Sequence, residues 1–184
     1  MLIVEACVLS HELIPILKKV GYDIGIIEGN KNLLSRKTIE VKDDNILSSF
    51  LRSSKKFKGI IVVKPLSIST LRYSILSKQV KMLQFDDENA HLLKKNMINL
   101  LKNKEKYIEI NLNKISFFNL YKILLNFKIH RNIILSACAK HYSEIWPPLS
   151  KLNYVSIIGI PEELGIQWIF LNPNRLIISV SRGY

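Results

Sequence analysis

Short, almost uninterrupted apolar runs alternate along this chain with longer segments whose apolar residues recur every third or fourth position. The runs are LIVEACV (2–8), DIGIIEG (23–29), KTIEV (37–41), GIIVVK (59–64), VKMLQF (80–85), YIEINL (107–112) and NIILSA (132–137). Their length and branched side chains predict β-strands, and continuously apolar runs predict strands covered on both faces. Between them, HELIPILKKV, DNILSSFLRSSKKF, STLRYSILSK, ENAHLLKKNMINLLKNKEK and FFNLYKILLNFKI predict amphipathic helices. In the longest, Leu92, Leu93, Met97, Leu100 and Leu101 fall at helical spacing, with lysines on the remaining face. Asp86, Asp87 and Glu88 suit the N-terminus of that helix, and Lys102, Lys104 and Lys106 its C-terminus.

Alternation at intervals of about twenty residues predicts parallel βαβ units. Seven strands, with YVSII (154–158) as a candidate eighth, point to a closed or nearly closed barrel. The fold class expected is α/β, a compact, slightly degenerate TIM-type βα barrel. At 184 residues the chain is short for that architecture, which usually takes about 250, so one unit is expected to be degenerate or missing. From Tyr154 to Tyr184 the rhythm breaks at Gly159, Pro161, Gly165, Pro173 and Gly183. Neither a low-complexity linker nor a second domain stands out, so one domain over residues 1–184 is expected.

The opening MLIVEACVLSHELIPILKKV lacks a basic leading region and carries Glu5 and Glu12, so it reads as a first strand and helix rather than a signal peptide. No apolar stretch approaches the roughly 20 residues of a membrane span. Cys7 and Cys138 sit in separate apolar runs without C-x-x-C spacing. A reduced, soluble, cytoplasmic protein is the simplest expectation.

Charge changes the picture most. Twenty-seven Lys and Arg against 15 acids leave a net +12, which favours a polyanionic partner, nucleic acid ahead of an anionic membrane. A generic solubilising surface would give the same total. The cations cluster in RSSKKFK (52–58), HLLKKN, KNKEK and KIHR. Lys55, Lys56, Lys58, Lys94, Lys95, Lys104, Lys106, Arg131 and Lys140 are the candidates for contact with nucleic-acid phosphates, RNA or DNA, although each cluster is also explicable as a solvated helix end.

Catalytic signals are weaker. The C-terminal strand ends, where barrel enzymes place their chemistry, carry Glu28, Lys64, Asp86, Asp87, Asn111 and Lys140. A Schiff base on Lys64 or Lys140 would need a desolvated amine, whereas lysines flanking strands are usually solvated. Cys138 with His141 is a conceivable nucleophile and base, but a buried small residue ending a strand explains Cys138 as well. His11, His91, His130 and His141 stand singly, without paired metal-ligand spacing, and no phosphate-binding glycine loop is present. No catalytic residue, metal ligand or bound cofactor is therefore expected of the chain itself.

The order of segments resembles a known family. GIIVVKP (59–65), SKQVKMLQFDDEN (77–89), YIEINLNKI (107–115), RNIILSACAKHYSEIWPP (131–148) and PEELGI…LNPNRLI (161–177) resemble successive blocks of archaeal ribonuclease P protein component 3, the homologue of the thirty-kilodalton eukaryotic subunit. EINL and SACAK are the specific blocks, and the N-terminal third matches in layout alone. The resemblance implies a barrel related to the polymerase and histidinol phosphatase domain, without its complete metal site. It implies a protein subunit of ribonuclease P, the ribonucleoprotein endonuclease that removes 5′ leaders from precursor tRNA. It also implies the ribonuclease P RNA as catalytic partner, using Mg2+, with precursor tRNA met through the complex. Component 2, a small α/β protein, and the other ribonuclease P proteins are the implied protein partners. Two departures stand out: Ala137-Cys138-Ala139 replaces the family's Ser-Gly-Ala, making the turn less glycine-dependent, and the tail is clipped. The alternative is a stand-alone metal-dependent phosphoesterase of the related barrel superfamily.

Overall fold

A computed structural model of the protein describes residues 1–29, 34–126 and 132–181. Its strands are β1 (Val4–Val8), β2 (Ile24–Glu28), β3 (Ser35–Val41), β4 (Ile60–Pro65), β5 (Val80–Phe85), β6 (Tyr107–Asn111) and β7 (Ile133–Ser136). They pair in parallel and in sequence order. Helices α1 (Ile14–Lys19), α2 (Asp44–Ser53), α3 (Ile68–Leu76), α4 (Lys95–Lys104) and α5 (Phe117–Asn126) lie between successive strands, except between β2 and β3, where the described residues hold none. After β7 come α6 (Pro148–Ile157), α7 (Glu162–Ile166), a π-helical turn (Gln167–Leu171) and α8 (Asn172–Ser181). All seven sequence-predicted strands are present.

Two predicted elements need correction. The candidate eighth strand at 154–158 is helical and falls mostly within α6. Val155 and Ile158 are buried in the same cluster as Trp168, so this apolar run belongs to a helix packed on helices. The long helix over 88–106 is broken: Ala90–Leu92 forms a 3-10 turn, and α4 begins only after Lys94, whose backbone is extended. Asp86, Asp87 and Glu88 therefore do not cap α4. Instead, the Asp86 backbone carbonyl accepts from the Asn89 and Ala90 amides, turning the chain before the helix starts. After β7 the strand–helix rhythm does break, as the sequence suggests: the tail is helical, with Pro148 and Pro161 at or just before helix starts and Pro173 directly after the π-helical turn, inside the continuous helical run 162–181.

Strand alternation sorts the core into two layers. Ile61, Val63, Leu83, Phe85, Ile108, Ile110 and Leu135 face outward and bury against the helices through Leu47, Leu71, Ile75, Leu101, Leu120 and Leu124. The intervening residues Ile26, Ile60, Val62, Met82 and Ile134 face inward and meet Leu176, Ile177 and Val180 of α8. Each fully buried aliphatic of this kind contributes about 1.5–3 kcal/mol. Further along the strands the inward positions change character, becoming Glu28, Thr38, Lys64, Gln84, Asp86, Glu109 and Ser136, joined by Arg36 from the second position of β3. The barrel is thus apolar at one end and charged at the other.

With no eighth strand among the described residues, β1 and β7 are the sheet's edges. Among the described residues they meet at one bridge, Val8 to Ala139, with the Leu9 amide donating to the Ala139 carbonyl at 2.9 Å. Side chains close the rest of this seam. Glu5, 1 % exposed, accepts from the Ala137 amide at 3.2 Å and pairs with the buried Lys151 of α6 at 2.5 Å. Lys151 also donates to the Leu135 carbonyl at 2.9 Å. A Cys7–Cys138 disulfide completes the closure. This corrects the expectation of two reduced thiols: barrel closure, invisible in linear spacing, brings together residues 131 apart.

Candidate functional site

The mouth of the barrel, at the strands' C-terminal ends, is the position at which such folds do chemistry. At its centre the fully buried guanidinium of Arg36 grips Glu109 in a two-pronged pair, Nη1 to Oε1 at 2.6 Å and Nη2 to Oε2 at 2.7 Å. Nη1 also donates to the Ala6 carbonyl at 2.9 Å, and Nε lies 3.3 Å from Glu28 Oε2. Burial alone would lower the Arg36 pKa, but Glu109, Glu28 and Glu5 outweigh it and raise it, so the cation is locked. Gln84 Nε2 donates to Glu109 at 2.9 Å, and Glu28 accepts from both the amide and the hydroxyl of Thr38.

Lys64 forms a second knot. Its ammonium lies 3.0 Å from Glu40, 2.9 Å from Asp86 and 2.6 Å from Glu88. Burial would lower its pKa, yet the hydrogen bonds to Glu88, Asp86 and Glu40 raise it. The expected solvated lysine is in fact buried, because its strand position faces inward. A raised pKa is the opposite of what Schiff-base formation requires. Beside these knots lies a cleft of about 280 Å³ lined by Cys7, Glu28, Thr38, Gln84, Asn111 and Cys138 among others. Cys7, Glu109 and Cys138 bring three metal-type donors within 4.8 Å of one another. The two sulfurs are bonded to each other and both Glu109 oxygens accept from Arg36, so this set does not fit a metal ion.

Cys138 adopts φ 46°, the left-handed region that favours glycine. The turn therefore holds a non-glycine residue in a conformation that favours glycine, and the disulfide fixes it there. Bonded to Cys7 and 7 % exposed, Cys138 is no nucleophile in this form. His141 instead begins a short turn in which Glu144 accepts from the Lys140 and His141 amides, bonds that hold the Glu144 carboxyl below its ordinary range.

The RNA-contact candidates divide between the two ends of the barrel. Lys55, Lys56 and Lys58 lie between α2 and β4, Lys104 ends α4, and Lys106 precedes β6. All five belong to the N-terminal rim, opposite the mouth, and all but Lys106 are exposed. Lys94 and Lys95, exposed at the start of α4, and Lys140, exposed after β7, lie towards the mouth. Arg131 and the rest of KIHR, including His130, lie outside the described residues. Sequence reasoning missed Arg36, Glu109, Glu5 and Lys151. For Glu5 and Glu109 the available signal was a charged residue within an otherwise apolar strand, where burial obliges it to find a partner, whereas Arg36 in the mixed run of β3 and Lys151 on α6 carried no such signal.

No curated protein sequence matches this chain. A family model described as RNase P subunit p30 matches residues 26–182. Among solved structures, the chain superposes with a TM-score of 0.81 on a chain of a cryo-EM structure of archaeal ribonuclease P with mature tRNA. That match covers 97 % of this chain and 91 % of the other at 13 % identity.

Proposed function

This chain belongs to the RNase P subunit p30 family, and we propose that within ribonuclease P it acts as a non-catalytic, RNA-binding subunit. It is a protein subunit of the ribonucleoprotein endonuclease that removes 5′ leaders from precursor tRNA, with a role in that tRNA-processing complex. The observation that carries the proposal is the pairing at the mouth. In-line attack on a phosphodiester needs carboxylates or histidines free to hold metal ions, whereas Glu28, Glu40, Asp86, Glu88 and Glu109 are each engaged by Arg36 or Lys64. Breaking such pairs to admit a metal would leave a buried cation uncompensated, at a cost of about 3–5 kcal/mol.

The catalytic centre and its Mg2+ are then the RNA's, and the chain contributes cations that replace counterions around folded RNA. The lysines of the N-terminal rim supply them, supported by Lys94, Lys95 and Lys140 nearer the mouth. Component 2 is the protein partner we assign. Phe117, Phe118 and Tyr121 on α5, all exposed, offer it an apolar strip of the kind interfaces cover. Among the described residues, no helix is long and apolar enough to cross a membrane.

A reconstitution series tests this: protein alone, RNA alone, RNA with each protein, and RNA with both. The protein alone is expected to leave precursor tRNA intact at every magnesium or manganese concentration, and with RNA and component 2 to lower the magnesium needed. Cleavage by the protein alone, abolished by a chelator and surviving ribonuclease pretreatment, would replace this reading with the stand-alone phosphoesterase.

A further inference from the structure

We propose that a cleft on the N-terminal rim, between the starts of β5 and β6, is the seat of an RNA phosphodiester backbone on this protein. The inference rests on the reading of the chain as an RNA-binding subunit and says where the RNA lies. Four segments converge there: the loop before β5 brings Lys78, β5 itself Lys81, the end of α4 Lys104, and the entry to β6 Lys106. They surround a cleft of about 450 Å³, also lined by Tyr107 and Asn132. Among the described residues lining it, Glu105 is the acid, and Arg175 of α8 stands close enough to act electrostatically on Tyr107.

Lys106 makes this more than a scatter of surface lysines. Its ammonium donates to the Ser77 and Val80 carbonyls, both at 2.6 Å, which fixes it to the barrel. An ammonium has three N–H donors, so one is left for a ligand, already ordered before the ligand arrives. Partial burial, with Lys81 and Lys104 nearby, pushes its pKa down to about 8. The cations there repel one another, and an entering phosphate relieves that repulsion. The Tyr107 phenol, kept protonated as burial raises its pKa, adds a neutral donor suited to a phosphate or a ribose hydroxyl.

The plain alternative is that lysines gather at helix C-termini to offset the helix dipole. That accounts for Lys104, which ends α4. It does not account for Lys81 on a strand, Lys78 in a loop, or a half-buried ammonium facing other cations.

The test compares the full chain with its Lys78→Gln, Lys81→Gln, Lys104→Gln triple variant, measuring affinity for labelled ribonuclease P RNA by anisotropy across a KCl series. The variant is expected to keep the wild-type circular-dichroism melt, to bind at least about tenfold more weakly at low salt, and to lose roughly 2 units of the log K against log salt slope, at about 0.7–0.9 per phosphate neutralised. Lys106 adds a pH signature. Phosphate favours its charged form, so wild-type affinity is expected to fall between pH 7 and 9 as the ammonium deprotonates near 8. The groups facing it are Lys78, Lys81, Lys104, Glu105, Tyr107 and Arg175. Lys106→Met, checked for folding, is expected to flatten that profile.

Unchanged affinity and slope in the triple variant, with loss on replacing Lys55, Lys56 and Lys58 by Gln, would move the RNA elsewhere on the rim and overturn the cleft alone. Weaker binding of component 2 with RNA affinity intact would make the cleft a protein contact and overturn it too. Absence of RNA binding by wild type and all variants would remove both the cleft and the functional reading beneath it.

Discussion

The two ends of the barrel handle charge in opposite ways. At the mouth, Arg36 and Lys64 are buried and each is wrapped by carboxylates: Glu28 and Glu109 for the first, Glu40, Asp86 and Glu88 for the second. At the N-terminal rim, Lys78, Lys81, Lys104 and Lys106 crowd one cleft beside a single lining acid among the described residues, Glu105. The net charge of the chain is therefore not spread evenly. A charge satisfied inside the fold holds the fold together and has little left for a partner, while an unsatisfied one costs stability and is available to a ligand. The mouth is where sequence logic would look for chemistry, and the rim is where the physics leaves a binding capacity unused.

The sharpest way to break this contrast is to unpair the mouth. Arg36→Met leaves Glu109 buried without its cation and is expected to cost about 3–5 kcal/mol in urea unfolding. Adding Glu109→Gln should recover a good part of it, since the neutral pair no longer buries a lone charge. If Arg36→Met unfolds no more easily than wild type, the mouth is not structural and the contrast fails. Next in size is the seam. Reducing the Cys7–Cys138 bond should cost about 2–4 kcal/mol. In the reduced background, Cys138→Gly should be more stable than Cys138→Ala by about 1 kcal/mol, because the φ of 46° suits glycine.

Acid should act on the mouth before the rim. Glu88 is held below its ordinary value of 4.5 by Lys64, and Asp87 below its 3.8 because hydrogen bonds from Asn119 and Ser116 outweigh partial desolvation. Both groups stabilise the fold above those values, and that contribution is expected to disappear as pH falls through their lower folded-state pKa values. Fluorescence of Trp146, near the mouth through its bond to Asn113, gives a readout. Smallest of all is the stability effect of replacing Lys55, Lys56 and Lys58 by Gln, within about 0.5 kcal/mol each. Their RNA salt slope should nonetheless drop by about 0.7–0.9 for each phosphate no longer neutralised. Rim variants that melt early, or mouth variants that stay folded but no longer bind RNA, would invert the comparison.

The strands were legible because apolar runs such as GIIVVK and VKMLQF are short and bounded, and covered strands admit little else. The sequence does not show the break in the helix over 88–106, because Leu92 and Leu93 continue the spacing of Met97 and Leu101, and spacing alone does not register a turn made by backbone bonds at Asp86 and Asn89. Residues 154–158 look like a strand in isolation and form a helix because β1 and β7 already close the barrel without them. The basic clusters could be read directly, since charge is local. Their sorting onto two ends could not, because it depends on which loop follows a helix and which follows a strand. Arg36 and Glu109 were hidden most completely: they are 73 residues apart, and only the closed barrel makes them neighbours.

The sulfur–sulfur bond at the seam turns most of the chain into a covalent ring, with residues 7 and 138 as its clasp. A protease cutting the backbone once within that ring opens it without releasing a fragment. The nicked protein would run as one species on a denaturing gel without thiol and as two with it. The same clasp makes the first and last strands partners in every state the oxidised chain visits, so even unfolded, the barrel's ends never drift fully apart.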